Sequence, residues 1–274
     1  MKTIQLNDGN TIPALGFGTY SLNGSNGVNA ITGALNTGYR LIDSAVNYEN
    51  EGAVGEAIRR SGLKRSEIFV TSKLPGRHHH YEEAINQIQE SLYRTGLDYF
   101  DLYLIHWPNP KRQLFTQAWQ ALVDAKKFGL VRSIGVSNFE PEHIEKIVDA
   151  TGVWPAVNQV ELHPYFSNAR VRAFDDEHQV VTQAWSPLGR GGEIFKEPLL
   201  QQLAEKYHKS AAQVILRWEL QLGVGAIPKA NSYAHQIGNL DIFDFELTND
   251  EVASLTALDR PRNERFNPLT HEEF

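Results

Sequence analysis

Four side chains in this sequence have the types that a proton-transfer site needs: Asp43, Tyr48, Lys73 and His106. Asp43 and Tyr48 lie in "RLIDSAVNYENEGAVGEAI" (Arg40–Ile58), where an apolar, strand-like run gives way to a helical pattern. Lys73 ends the run "FVTSK", and His106 ends "LYLIH". A carboxylate can pair with an ammonium, a phenol can give up a proton, and an imidazole can donate or accept near neutral pH. Each residue alone has a plainer reading. Asp43 could cap a helix, Tyr48 could be a half-buried packing residue, Lys73 could snorkel at a rim, and His106 could be a satisfied core histidine. Together, at the ends of successive strands, the four suit general acid catalysis.

Such a set works only if the fold gathers it. Eight short apolar runs are visible: 14–19, 40–44, 67–73, 100–107, 131–138, 155–161, 180–186 and 224–229. Amphipathic segments separate them. One spans 81–94, with Ile85, Ile88 and Leu92 on one face; another spans 210–221, with Ser210 as N-cap. Continuous apolar strands alternating with helices predict a parallel sheet covered by helices. Eight such units in 274 residues predict an α/β fold of the (β/α)8 TIM-barrel type, as one domain over 1–274. An N-terminal β-hairpin over Lys2–Pro13, with Asp8-Gly9 in its turn, precedes the barrel. Two helices, about 198–207 and 249–258, are extra to the eightfold pattern. A parallel barrel opens all its strand ends on one face, where active sites of this fold sit. Further polar residues share those ends: Ser137, Asn138, Gln159, Trp185, Ser186 and Lys229.

Composition narrows the partners. The net charge is −7 and there is no basic tract, so nucleic acid and anionic membrane surfaces are not expected. There is no cysteine, which removes disulfides and Cys-based zinc sites. The N-terminal residues have no signal-peptide core, and no run reaches about 18 apolar residues. A cytoplasmic monomer acting on a small molecule is the expectation.

The blocks "GFGTY", "LIDSAVNYENEGAVG", "FVTSKLP", "DLYLIHWP", "IGVSNF", "NQVELHPY", "AWSPLGRG" and "IPKAN" occur in this order. In order and spacing they resemble the aldo-keto reductase superfamily over essentially the whole chain, and most closely its compact bacterial branch that includes 2,5-diketogluconate reductases. The resemblance implies NAD(P)H-dependent reduction of aldehydes and ketones. By similarity, Tyr48 is the proton donor. A tyrosine ordinarily titrates at about 10, and Lys73 is the matching cation expected to lower that value. Asp43 would hold Lys73, and His106 would donate a hydrogen bond to the carbonyl oxygen.

The implied cofactor is NADPH, although "GFGTYSLNG" is no Rossmann fingerprint. By the same resemblance, Ser137, Asn138 and Gln159 would hold the carboxamide, and Trp185 would stack on the nicotinamide. Thr19, Tyr20 and Asp43 would lie near the nicotinamide or its ribose, and Gly18 and Ile227 are further cofactor-binding candidates. Ser186, Leu188, Gly189 and Arg190 would approach the pyrophosphate, and Lys229, Ser232, His235 and Asn239 the adenosine. The pattern departs from many relatives in "IPKANSYAHQIGN". Ala230 stands for a serine, His235 for an arginine, and Gly238 for an acidic residue. Histidine offers fewer donors than a permanently charged arginine fork. A looser grip on the 2′-phosphate is expected, with some use of NADH. The substrate pocket is assigned to Tyr20, Tyr48, His106 and Trp107, with Phe139 and the aromatic tail as further candidates.

Other signals carry less. The tract "RHHH" (77–80) lacks the spacing of a helix-type metal site, so no metal is expected. His163 in "ELHPY" reads as structural. Two alternatives remain at this level: a barrel lyase with Lys73 as Schiff-base nucleophile, and a non-catalytic nucleotide-binding partner subunit.

Overall fold

In a computed structural model, which describes residues 2–262 and 264–274, the chain folds as a (β/α)8 barrel. Strands β1 (Thr3–Gln5) and β2 (Thr11–Pro13) form the antiparallel hairpin, with Ile4 opposite Ile12. Its turn is fixed by Asp8, whose Oδ1 accepts from the Asn10 amide at 3.1 Å, and by Gly9 at φ 89°. Leu6 and Ile12 of this hairpin cluster with Leu41, Leu102, Leu104 and Val157 of the barrel. The hairpin therefore plugs one end of the barrel with apolar side chains.

The barrel strands are β3 (Phe17–Gly18), β4 (Leu41–Asp43), β5 (Phe69–Leu74), β6 (Phe100–Ile105), β7 (Val131–Ser137), β8 (Val157–Glu161), β9 (Val181–Trp185) and β10 (Gly225–Ala226). Each pairs in parallel with the next. A parallel bridge between Leu15 and Ala226 joins the two ends of the series, and the Gly16 amide donates to the Ala226 carbonyl at 2.8 Å. Every residue of β6 is buried, as a strand covered on both faces must be.

The helices α1 (Gly24–Thr37), α2 (Glu51–Ser61), α3 (Tyr81–Thr95), α4 (Phe115–Lys127), α5 (Pro141–Thr151), α6 (Ala169–Glu177), α8 (Ala211–Gln221) and α9 (Tyr233–Leu240) follow β3 to β10 in turn. The extra helices are α7 (Pro198–Tyr207), inserted before α8, and α10 (Asn249–Thr256). Ser210 caps α8 in a reciprocal pair: Oγ accepts from the Gln213 amide at 3.3 Å, and Gln213 Oε1 accepts from the Ser210 amide at 2.8 Å. The buried stripe of α3 is Ala84, Ile88 and Leu92, whereas Ile85 is only half-buried at its edge. No helix among the described residues is long and apolar enough to cross a membrane.

Strand register decides what meets at the open face. Asp43 pairs with Thr71 on β5, so Lys73 extends one side-chain repeat beyond it. Ser137 pairs with Gln159, and Gln159 with Gln183.

Candidate active site

The segment after β4 is pinned by polar contacts. Ser44 Oγ donates to Asn50 Oδ1 at 2.6 Å, and Asn50 Nδ2 donates to the Thr19 carbonyl at 2.7 Å. Thr19 Oγ1 donates to the Asp43 carbonyl at 2.8 Å. A single 3-10 turn, Val46–Tyr48, then swings the Tyr48 ring over the barrel, and Asn23 Nδ2 holds its carbonyl at 2.8 Å. Tyr20 packs edge-on against Tyr48 with ring centroids 5.2 Å apart.

Lys73 is fully buried, which excludes the rim reading. Its Nζ lies 2.5 Å from Asp43 Oδ1, donates to the Ser44 carbonyl at 2.8 Å and reaches the Tyr48 hydroxyl at 3.5 Å. Asp43 Oδ2 accepts from Gln159 Nε2 at 2.8 Å, and Gln159 also donates to Gln183 Oε1 at 2.8 Å. Asp43 is thus an anchor for the lysine rather than a helix cap. The lysine is tied down on two sides beneath the phenol and does not line the cleft. A Schiff-base nucleophile needs a reachable neutral amine, so this arrangement speaks against the lyase reading. The His106 ring lies edge-on to Tyr48 at 5.8 Å, and its Nδ1 is 2.7 Å from Glu273 Oε1.

The electrostatics depart from the sequence expectation in one respect: the Tyr48 pKa is not lowered by Lys73. Burial pushes the Tyr48 phenol well above its ordinary value, and the carboxylates of Asp43 and Glu273 add to the rise, as does Tyr20. Burial is the largest cause, and it outweighs the Lys73 ammonium 3.5 Å from the hydroxyl. Burial also lowers the Lys73 pKa, with Asp43 opposing it.

Tyr48 and His106 stand at the floor of a cleft of about 740 Å³. Gly18, Thr19, Tyr20, Asp43, Trp107, Asn138, Gln159, Trp185, Ser186, Leu188, Arg190, Ile227 and Lys229 also line it, all from the predicted set. A Cβ on Gly18 would stand 2.8 Å from the Ile227 carbonyl oxygen, so only glycine lets β3 approach the "IPK" segment this closely. Trp185 presents its ring at the wall, fixed by Nε1 donating to Asn138 Oδ1 at 2.7 Å. Gln159 lines the cleft and uses only its Nε2 in the contacts above. Arg190 and Lys229 bring two cations to the same opening. The Arg190 guanidinium lies 4.8 Å from the Phe266 ring centroid, and Lys229 Nζ donates to Ser21 Oγ at 2.9 Å. Chemically, these residues fit a nicotinamide dinucleotide.

Other predicted residues lie off this cleft. Ser137 is buried behind Asn138, where Oγ donates to the Gln159 carbonyl at 2.8 Å and accepts from Asn138 Nδ2 at 3.0 Å. Gly189 sits in the left-handed region at φ 56° beside Ile194. Ser232 caps α9, its Oγ accepting from the His235 amide at 3.2 Å, with His235 exposed. Asn239 is buried near Tyr39. Phe139 does not line this cleft: Asn138 adopts φ 61°, and the Phe139 ring packs against Phe115 and His143. His163 exchanges backbone hydrogen bonds with Phe166 in a turn. Of the histidine tract, His79 is fully buried and pushed down to about 4 by burial, while His80 precedes α3 in an exposed position.

Sequence reading missed Glu273, Gln183, Phe195 and Arg265. Phe195, Arg265 and Phe266 all line the cleft. Phe266 belongs to the aromatic tail and stacks on Trp107 at 6.4 Å. Only the aromatic character of the tail gave a signal.

Comparison with known proteins agrees with this geometry. The Aldo/keto reductase family model matches residues 14–260. The chain is 51% identical to 2,5-diketo-D-gluconic acid reductase B of Corynebacterium sp. (strain SHS752001), covering 100% of this chain and 99% of the relative. It is 39% identical to a methylglyoxal reductase of Escherichia coli (strain K12), covering 94% and 93% of the two chains. The crystal structure of a Bombyx mori aldo-keto reductase in complex with NADP superposes with a TM-score of 0.88 at 36% identity, covering 94% and 92%.

Proposed function

Because the chain belongs to the aldo/keto reductase family and catalyses NADPH-dependent carbonyl reduction, we propose that Tyr48 gives the proton, with Lys73, Asp43 and His106 in support. The observation that carries this reading is the Tyr48 hydroxyl at the cleft floor, 3.5 Å from a buried lysine that Asp43 holds in place.

When bound, NADPH supplies the hydride. Residues of the chain manage the proton. The raised pKa keeps Tyr48 protonated at neutral pH, so the donor is always loaded. As the carbonyl oxygen gains alkoxide character it becomes a stronger base than phenolate, and the phenol proton moves to it. The Lys73 ammonium then stabilises the phenolate left behind, and Asp43 keeps that ammonium from turning away. His106 offers a second polar contact to the same oxygen. Trp185, Asn138 and Gln159 would hold the nicotinamide end, Ser186, Leu188 and Arg190 the pyrophosphate, and Lys229 with His235 the adenosine phosphate.

For the substrate, we read a small polar carbonyl compound, in keeping with the two relatives named for diketogluconate and methylglyoxal. Aromatic walls from Tyr20, Trp107 and Phe266 flank a floor of hydrogen-bonding groups. We further read the whole chain as one functional unit that acts as a cytoplasmic monomer, a proposal supported by its lack of cysteine and its net charge of −7.

Tyr48→Phe tests the assignment. Turnover of methylglyoxal with NADPH should fall by about 10²–10⁴-fold. Tryptophan quenching by NADPH should remain. Wild-type turnover in the variant would overturn the role.

A further inference from the structure

The end of the chain reaches His106 from behind. Glu273 Oε1 lies 2.7 Å from His106 Nδ1 and accepts from Asn47 Nδ2 at 2.8 Å, while Oε2 accepts from the Gly76 amide at 3.4 Å. His106 Nδ1 is buried and makes no well-aligned hydrogen bond among the described residues; the Glu273 carboxylate faces it in ion-pair contact. The tail is clamped to place this carboxylate. Asn109 Nδ2 donates to the Glu273 carbonyl at 2.6 Å, and the Glu273 amide donates to Asn109 Oδ1 at 3.2 Å. Glu272 Oε1 accepts from the Lys111 amide at 2.7 Å. A Cβ on Gly76 would lie 2.5 Å from the Glu273 carbonyl oxygen, so the glycine makes room for the tail. His271 packs on Trp107 with ring centroids 4.2 Å apart. Glu273 itself does not line the cleft. It is placed to act on the imidazole and not on the substrate.

We propose that Glu273 is a positioning residue: docking of the C-terminal tail fixes the ring and the proton arrangement of His106, and so readies it for the carbonyl oxygen. Imidazole chemistry gives the reason. A carboxylate only accepts, so it selects the form with a proton on Nδ1. Nε2 is then left for the cleft, and it donates there only when the ring carries its second proton. The anion beside Nδ1 offsets that added charge. Without the tail the ring can rotate or take the other tautomer. Other titratable groups near His106 are Tyr48, on the turn after β4, and His271, on the tail. Neither hydrogen-bonds Nδ1. The Glu273 carboxyl is kept ionised for this role. Burial would raise its pKa, but His106, Asn47 and the Gly76 amide outweigh burial and hold it below the usual range.

This inference rests on the role given to His106 above, and the test separates the two. The NADPH-bound enzyme is prepared with ¹⁵N-labelled histidine, as wild type, Glu273→Gln, Glu273→Asp and a chain ending at residue 272. The expected wild-type signature is a protonated Nδ1 on His106. Glu273→Gln and the truncation should change that signature and lower kcat by about 10–100-fold, the range typical of partners that orient metal-bound histidines. NADPH affinity should not change, and Glu273→Asp should restore part of the rate. An unchanged signature in Glu273→Gln overturns the proposal. So does unchanged kcat in Glu273→Gln when His106→Gln is impaired. If His106→Gln also turns over normally, the role assigned to His106 is what fails.

Discussion

The two ends of the cleft are built differently. At the reactive end Asp43, Lys73 and Gln159 are all buried, and each is held by at least two polar contacts from other strands or turns. At the end proposed for the adenosine, Lys229 lines the cleft and Ser232 and His235 lie off it; all three are exposed, and their contacts are few: Lys229 to Ser21, and Ser232 to the first turn of α9. The difference is one of dielectric and of neighbours. A buried charge without its partner is costly, so the reactive end tolerates one arrangement. An exposed charge is solvated and screened, so the other end can change residue at little cost to the fold. We therefore read the chemistry as fixed by the barrel and cofactor choice as left to a replaceable rim.

The strongest challenge to this contrast is to remove one cation from each end. Lys73→Met leaves the Asp43 carboxylate buried and unpaired. It should cost about 3–5 kcal/mol of stability and abolish turnover. Lys229→Met should leave the denaturation midpoint unchanged and weaken only NADPH. Equal unfolding midpoints for the two variants in urea would erase the distinction. A smaller effect is expected at the wall of the reactive end. Trp185→Ala removes the stacking face, and the NADPH dissociation constant should rise about tenfold, the equivalent of roughly 1.4 kcal/mol. Isothermal titration would read it directly.

Alkaline pH probes the buried end alone. The Tyr48 phenol is raised above its unfolded value. Its stability contribution is therefore complete below about pH 10 and is lost as pH rises from there toward the folded value. Wild type should lose up to about 1.4 kcal/mol per pH unit more than Tyr48→Phe in that window. Parallel stability curves for the two proteins would show that burial does not hold the proton. The smallest change belongs to the exposed rim. His235→Arg should favour NADPH over NADH by at most about fivefold, since an exposed ion pair contributes about 0.2–1 kcal/mol. No change in that ratio would place His235 away from the phosphate.

The sequence made the barrel and the floor of the site readable for a physical reason. A strand buried on both faces writes an unbroken apolar run, and a polar residue at its end stands out. Asp43, Lys73, His106, Gln159 and Trp185 each interrupt or end such a run. Other features depend on distance or on backbone angles that no local pattern encodes. Glu273 sits in an unpatterned tail, and nothing near it in the chain points to His106. Phe139 follows a left-handed Asn138, which turns the ring out of the mouth and into the helix layer. The direction of the Tyr48 shift could not be read from residue types either. Lysine beside tyrosine suggests a lowered pKa, but the depth of burial and the tight Asp43 contact reverse it.

The most direct test of the divided cleft is one comparison on the wild-type enzyme. NADPH and NADH are titrated by tryptophan fluorescence, and kcat is then measured at saturation with each. Both cofactors should quench, and NADPH should bind tighter by less than about tenfold, roughly 1.4 kcal/mol. The value of kcat should be the same with either. A kcat that falls with NADH in proportion to its weaker binding would contradict the division, because the reactive end would then depend on the rim.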